Sequence, residues 1–323
     1  MIRLIVAAVL YASLIGSAFA QTTLTVYSTA ESDLIPAYTQ AIKKEFPDVE
    51  LKWVRDSTGI MTARLLAEKD APKADLIFGL AVTSMKQLQE ANIIVPTPVT
   101  APDGSVTMKQ WIPYSIWANA VTYNTYELEA LNLPVPTSWE DLTKPVYKGH
   151  IVMPYPFSSG TGFMQVAAWL KMFGEKKGWE YMDKLHKNIK FYTHSGTKPC
   201  ALSAQGEIAL GISSGSFADI LQRQGAPLSI VYPTPGIGWD TDIAASVAGS
   251  KHPELAQKIV AFAASDAIAN IVGTSSRITP NGKFLNAETT KQRNQLLEGL
   301  TEYMIENKPA IMAEWKKRYE GTN

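Results

Sequence analysis

Met153-Pro-Tyr-Pro-Phe-Ser-Ser-Gly-Thr-Gly-Phe-Met-Gln-Val-Ala-Ala-Trp-Leu170 reads as the end of a strand, a loop of hydroxyl residues and glycines, and the start of a helix. Such a loop aims backbone N–H groups, and the hydroxyls of Ser158, Ser159 and Thr161, at one spot beside the positive end of the helix dipole. Gly160 keeps that spot open. The segment is a seat for an anion, and its strand–loop–helix order is the unit of an α/β fold.

Similar units lie on both sides of it. Upstream, Leu24 to Tyr27 is a short apolar strand, and Leu34, Ile35, Tyr38, Ile42 and Phe46 recur at helical spacing until Pro47. Val49, Leu51, Trp53 and Arg55 alternate as a strand, Ile60 to Glu68 reads as a helix, and Ala74 to Phe78 as the next strand. This β-α-β-α-β order implies a mainly parallel sheet flanked by helices. Trp117 to Tyr123 is an extended apolar run, Trp139 to Leu142 a short helix, His150 to Met153 a strand and Thr161 to Phe173 a helix. Strands follow at Ile208–Ile212, Leu228–Tyr232 and Ile243–Ala248, with helices at Phe217–Gln224 and Pro253–Ala264 and a polar helical tail from Thr289. Open sheets of this kind bind ligands beyond the carboxyl ends of their strands. The hydroxyl- or glycine-rich loops at those ends are Ser28-Thr29-Ala30-Glu31, Ser57-Thr58-Gly59, Phe78-Gly79-Leu80, Ser158 to Gly162 and Ser213 to Ser216. Two sheets facing each other would bring them to one cleft.

Bulk properties narrow the function. Residues 1–20 carry Arg3, an apolar run from Leu4 to Gly16 and an Ala18-Phe19-Ala20 site, the pattern of a secretory signal peptide cleaved after Ala20. The apolar run is short of the about 20 residues that a spanning helix needs. The remaining chain of about 300 residues suits two domains. A formal charge of zero gives no electrostatic footprint for nucleic acid or an anionic membrane. The single cysteine, Cys200, excludes an internal disulfide and opens an apolar stretch, which suits a buried structural thiol.

Leu24-Thr-Val-Tyr-Ser-Thr29, Ala74-Asp-Leu-Ile-Phe78, Ser159-Gly-Thr-Gly162 and Lys251-His-Pro-Glu-Leu-Ala-Gln-Lys258, in that order and spacing, resemble the periplasmic solute-binding proteins of ABC importers. The nearest branch is that of ferric-iron and 2-aminoethylphosphonate binding proteins. The resemblance implies a type II fold of two α/β lobes with ligand between them. It places lobe 1 at 21–118 plus about 243–285, lobe 2 at 119–242, and C-terminal helices from about 286 to 323 across both. It further implies a monomer, a membrane permease as partner, no cofactor, and no catalytic cycle. The iron-binding pattern uses paired tyrosines and a histidine, which align near Ser216-Phe217 and Glu31. Without those ligands a metal-free site is expected.

A phosphonate offers acceptor oxygens and wants donors. The residues expected around it are Ser28, Thr29, Ser57, Thr58, Ser158, Ser159, Gly160, Thr161, Ser214 and Ser216. Those expected around an ammonium end are Glu31, Phe78, Trp239 and Asp240, with Asp242 a further acceptor and Asp240 alternatively a turn cap. The loops contain no arginine, which favours a zwitterion such as 2-aminoethylphosphonate. Other small anions, a sugar phosphate or ferric iron with a helper anion, remain as alternatives. An enzyme reading also exists. Gly211-Ile-Ser-Ser-Gly215 matches the nucleophile elbow of serine hydrolases, with Ser213 followed by Asp240 or Asp242 and then His252.

Overall fold

The computed structural model describes residues 21–101 and 103–320. The expected signal peptide lies outside the described residues. The chain opens as β1 (Thr22–Ser28), α1 (Ile35–Glu45), β2 (Val49–Arg55), α2 (Thr58–Ala67), β3 (Leu76–Ala81), α3 (Met85–Glu90) and β4 (Ile94–Val95). Strands β1–β2 and β1–β3 pair in parallel, as right-handed βαβ units do. The apolar alternation of β1 and the fully buried β3 fill two cores, one on each face of this sheet. A hairpin, β5 (Thr97–Thr100) with β6 (Val106–Lys109), projects before the long β7 (Ile112–Asn124). Its β6 strand is exposed throughout, although Val106 and Met108 alternate with Thr107 and Lys109.

The middle of the chain continues with α4 (Thr125–Ala130), β8 (Ile151–Pro154), α5 (Gly160–Phe173), α6 (Glu175–His186), β9 (Ile189–Thr193), α7 (Lys198–Ala204), β10 (Leu210–Ser214), α8 (Gly215–Arg223) and β11 (Leu228–Val231). Strands β10–β8 and β8–β9 are again parallel. Their core is built round Trp139, Trp169, Phe163 and Ile151. The chain returns through β12 (Trp239–Val247), α9 (Pro253–Phe262), α10 (Asp266–Thr274), α11 (Ala287–Arg293) and α12 (Leu300–Tyr319). Leu300, Met304, Ile311 and Trp315 carry α12 into the core of the second sheet. The expected helix at Trp139–Leu142 forms as a single 3₁₀ turn, Glu140–Thr143.

One strand joins the two sheets. Ile112 to Ala118 of β7 pairs with β12, and Asn119 to Asn124 pairs with β10 and β11. The strand order is therefore β2-β1-β3-β12-β7-β10-β8-β9, running through both lobes. Strand β12 begins at Trp239, four residues before the sequence reading placed it, because its antiparallel pairing with β7 starts at Ala118. This corrects the place of Trp239 and Asp240. Expected at the ammonium end of the site, they lie instead inside β12. Trp239 donates its indole N–H to the Leu297 carbonyl at 2.7 Å.

Asp240 is fully buried, accepting from the Thr83 hydroxyl at 2.8 Å and the Thr241 N–H at 2.7 Å. Burial outweighs those hydrogen bonds and the nearby Lys308, and pushes its carboxyl up to about 7. Below about pH 4 the group is neutral in the folded and unfolded chains alike. As pH rises from about 4 to about 7 the unfolded chain loses the proton first, so this group's contribution turns unfavourable by on the order of 4 kcal/mol. Asp240→Asn removes that titration while keeping an acceptor for Thr241. Urea unfolding of the variant and the unsubstituted protein should therefore give a stability difference that moves in the variant's favour between pH 4 and pH 8. A difference independent of pH would show that Asp240 does not titrate in this range.

Candidate functional site

The strand-end loops of both lobes close on one cavity of about 50 Å³. From the first lobe come Thr29, Glu31, Arg55, Ser57 and Thr58, and from the second Ser159, Gly160, Thr161, Ser195, Gly196, Thr197 and Ser214. Trp117 on β7, Asp242 on β12 and Arg277 after α10 form the remaining wall. Two helix N-termini face this space from opposite lobes. Ser57 is the N-cap of α2, and Ser159 is the N-cap of α5, its hydroxyl accepting from the Gly162 N–H at 3.4 Å. Unpaired N–H groups and dipoles of both helices favour negative charge between them.

The wall opposite is ionic. Arg277 is only 4% exposed, with its Nη2 2.9 Å from Glu31 Oε2 and its Nη1 2.6 Å from Asp242 Oδ2. The same Nη1 donates to the Ser115 hydroxyl at 3.2 Å, and the Trp117 indole donates to Asp242 Oδ1 at 3.1 Å. Burial raises the Asp242 carboxyl above its ordinary range, and Arg277 works against that rise. Burial by itself would lower Arg277, but Glu31 and Asp242 outweigh it, so the guanidinium stays charged. Arg55 donates its Nε–H to the Ala30 carbonyl at 2.6 Å, which fixes a second guanidinium at the cavity. Two guanidiniums and two carboxylates leave the lining formally neutral.

The lobes touch round this cavity. The Ser214 hydroxyl donates to Glu31 Oε1 at 2.9 Å, the Gly59 N–H donates to the Ser158 carbonyl at 2.9 Å, and His194 Nε2 lies 3.0 Å from Asp56 Oδ1. Each joins a first-lobe loop to a second-lobe loop.

Of the residues expected at the site, Thr29, Glu31, Ser57, Thr58, Ser159, Gly160, Thr161 and Ser214 line the cavity. Six do not. Ser28 is fully buried beneath it, accepting from the Ala30 N–H. Ser158 turns its hydroxyl to the His194 carbonyl, and Ser216 sits behind Ser214 at 3.0 Å. Phe78 is locked between Tyr38 and Tyr114 in the first-lobe core, with ring centroids at 5.4 and 4.8 Å. Trp239 and Asp240 lie in β12 as described.

The expectation of a site free of arginine is overturned by Arg55 and Arg277. Arg55 ends the alternating run of β2 two residues before Ser57, a local signal of a strand-end residue beside the loop. Ser195-Gly-Thr197 repeats the small hydroxyl pattern after β9 and was equally legible. Arg277 and Trp117 arrive from distant parts of the chain, and nothing local marks them.

The hydrolase constellation is not assembled. The Ser213 hydroxyl donates to the Gly196 carbonyl at 2.7 Å. Asp242 serves Arg277 and Trp117, and the His252 backbone N–H bonds to Ser250 at an exposed helix start. Cys200 is fully buried, its thiol directed at the Thr197 carbonyl and pushed by burial up to about 12.

Comparison with known proteins agrees with this architecture. The structure of the periplasmic binding protein AfuA from Actinobacillus pleuropneumoniae, bound to fructose 6-phosphate, superposes with a TM-score of 0.83 at 24% identity, covering 94% of this chain and 100% of that one. The fold is accordingly the two-lobed type II fold of periplasmic binding proteins. An uncharacterized protein of Haemophilus influenzae is 29% identical over 315 residues, 88% of this chain and 91% of the relative. The thiamine-binding periplasmic protein of Escherichia coli is 25% identical over 276 residues, 81% of this chain and 82% of the relative. The family model of bacterial extracellular solute-binding proteins matches residues 71–306, and the chain belongs to that family.

Proposed function

We propose that this protein is the periplasmic receptor of an ABC importer for a small zwitterionic organophosphonate, 2-aminoethylphosphonate. The observation that carries this reading is a cleft that is neutral overall but lined by charges of both signs. Hydroxyl donors, two guanidiniums and the N-termini of α2 and α5 line it together with the carboxylates Glu31 and Asp242, in only about 50 Å³. The phosphonate oxygens sit between the N-termini of α2 and α5, taking hydrogen bonds from Ser57, Thr58, Ser159 and Thr161 and the charge of Arg55. The ammonium group faces Glu31, Asp242 and the indole of Trp117. The ligand's two charges are met separately, so the site needs no net charge of its own.

Size argues in the same direction. The space between the strand-end loops is small, about 50 Å³, and opens to solvent on one side. A two-carbon phosphonate suits that space better than a hexose phosphate such as the fructose 6-phosphate held by AfuA. Ferric iron would want phenolate or imidazole ligands, and none lines the cavity among the described residues. In this reading the receptor acts as a monomer, with lobe boundaries at 118/119 and near 242 and α11–α12 lying across both lobes. It carries no catalytic cycle. Ligand contacts from both lobes make the closed form the tight-binding one, and the closed form is what a permease recognises.

Isothermal titration tests this against 2-aminoethylphosphonate, inorganic phosphate, fructose 6-phosphate, thiamine, putrescine and ferric citrate. The expected result is a preference of at least about tenfold, or 1.4 kcal/mol, for the phosphonate over each of the others. Tighter binding of any other member overturns the ligand assignment. Loss of two hydroxyl donors to a charged oxygen, Ser159→Ala with Thr161→Ala, should weaken phosphonate binding by roughly 2–4 kcal/mol. An unchanged affinity would place the anion elsewhere.

A further inference from the structure

Gly59 stands where the lobes meet. It is the second residue of α2, and its N–H, one of the unpaired donors of a helix start, is taken by the Ser158 carbonyl of the other lobe. A methyl group built on Gly59 would lie 1.9 Å from the Phe157 carbonyl oxygen and 3.1 Å from that of Ser158. Both are main-chain atoms of a pinned turn. The Tyr155 N–H donates to the Thr193 carbonyl at 2.8 Å, and the Ser159 N–H to the Tyr155 carbonyl at 2.9 Å. No rotamer change relieves such an overlap. Gly160, facing it across the seam, differs. A methyl group there would meet the Thr58 side chain rather than main chain, Oγ1 at 2.6 Å and Cβ at 3.0 Å, and the hydroxyl is able to turn.

Gly59 itself needs no glycine within its own lobe. Its φ is not in the left-handed region, and α2 would accept alanine with some gain in helix stability. What glycine provides at this position is the approach of the other lobe.

We infer that Gly59 sets how far the two lobes close, and so acts as a positioning residue for solute capture without lining the cavity. This rests on the reading of the protein as a receptor that shuts over its ligand. In Gly59→Ala the seam must stand open by about 1 Å or more at this point. A displacement of that size separates the donors of α2 from those of α5, and a shift of about 1 Å in such a set is costly.

Closure is measurable without ligand. Cysteines placed by Asp56→Cys and His194→Cys, at the exposed pair that faces across the seam, can be bridged by a short bis-maleimide, while buried Cys200 does not compete. Adding Gly59→Ala to that pair should slow bridging at least fivefold, and Gly160→Ala should slow it less. Gly59→Ala alone should weaken 2-aminoethylphosphonate at least tenfold, yet leave the melting temperature of the ligand-free protein equal or higher. Unchanged bridging in Gly59→Ala overturns the inference, as does a lowered melting temperature, which would mark a folding role. Failure of the unsubstituted protein to bind the phosphonate removes the ligand reading alone, because the bridging rates judge the seam separately.

Discussion

Arg277 is held between Glu31 and Asp242 at the point where three distant parts of the chain converge. Glu31 follows β1, Asp242 lies on β12 and Arg277 follows α10, so the ion cluster ties the first strand of the first lobe to its return segment. Ser214 then hangs the second lobe on the same cluster through Glu31. Buried ion pairs give little net stability, since desolvation consumes much of the attraction. Their geometry is nevertheless unforgiving, because each member left alone is a charge in a dry place. The cluster therefore specifies an arrangement more than it strengthens the fold. It fixes the floor of the cleft at a set distance from the N-termini of α2 and α5.

Under the proposed function, that arrangement lets a neutral cleft recognise a charged molecule. The guanidinium of Arg277 is committed to two carboxylates, and the wall it forms with them carries a net negative charge. Arg55 and two helix N-termini supply the positive side. The positive side is not complete within one lobe. The donors at Ser57 and Thr58 belong to the first lobe, and those at Ser159 and Thr161 to the second. A ligand that needs both sets pulls the lobes together, and affinity becomes a measure of closure. The small lining residues serve the same end. Hydroxyls and glycines let main chain approach main chain, which narrows the space between the lobes.

Most of the framework was legible from periodicity. The strand at Val49–Arg55 is found where its alternation placed it, and the helix expected at Thr161–Phe173 begins one residue earlier. The loops at Ser57-Thr58 and Ser159-Gly160-Thr161 were readable because hydroxyl residues there cap the helix that follows and point its free N–H groups outward. Failures cluster where burial, not pattern, decides. Asp240 looked like a turn residue beside two glycines, yet β7 pairs with it and draws it into the sheet. Phe78 ends an apolar run, and only the aromatic partners Tyr38 and Tyr114 show that it faces the core. Arg277 lies in Ser275-Ser276-Arg277-Ile278-Thr279, a polar stretch without periodicity, and its partners are far away in sequence. A residue whose role is created by long-range pairing leaves no local trace.

The strand that joins the lobes also sets what kind of motion is available to them. Strand β7 changes partners between Ala118 and Asn119 without leaving the sheet, and β12 accompanies it only as far as Trp239. Bending at this switch requires no ladder to break within either lobe, so each lobe moves as a packed body with its own core. The cost of opening then falls on polar contacts between the lobes, among them Ser214 with Glu31, Gly59 with Ser158, His194 with Asp56 and Ser276 with Asp219. Each exchanges a protein partner for water and contributes only on the order of 1 kcal/mol. A solute that gathers donors from both sides outweighs them readily.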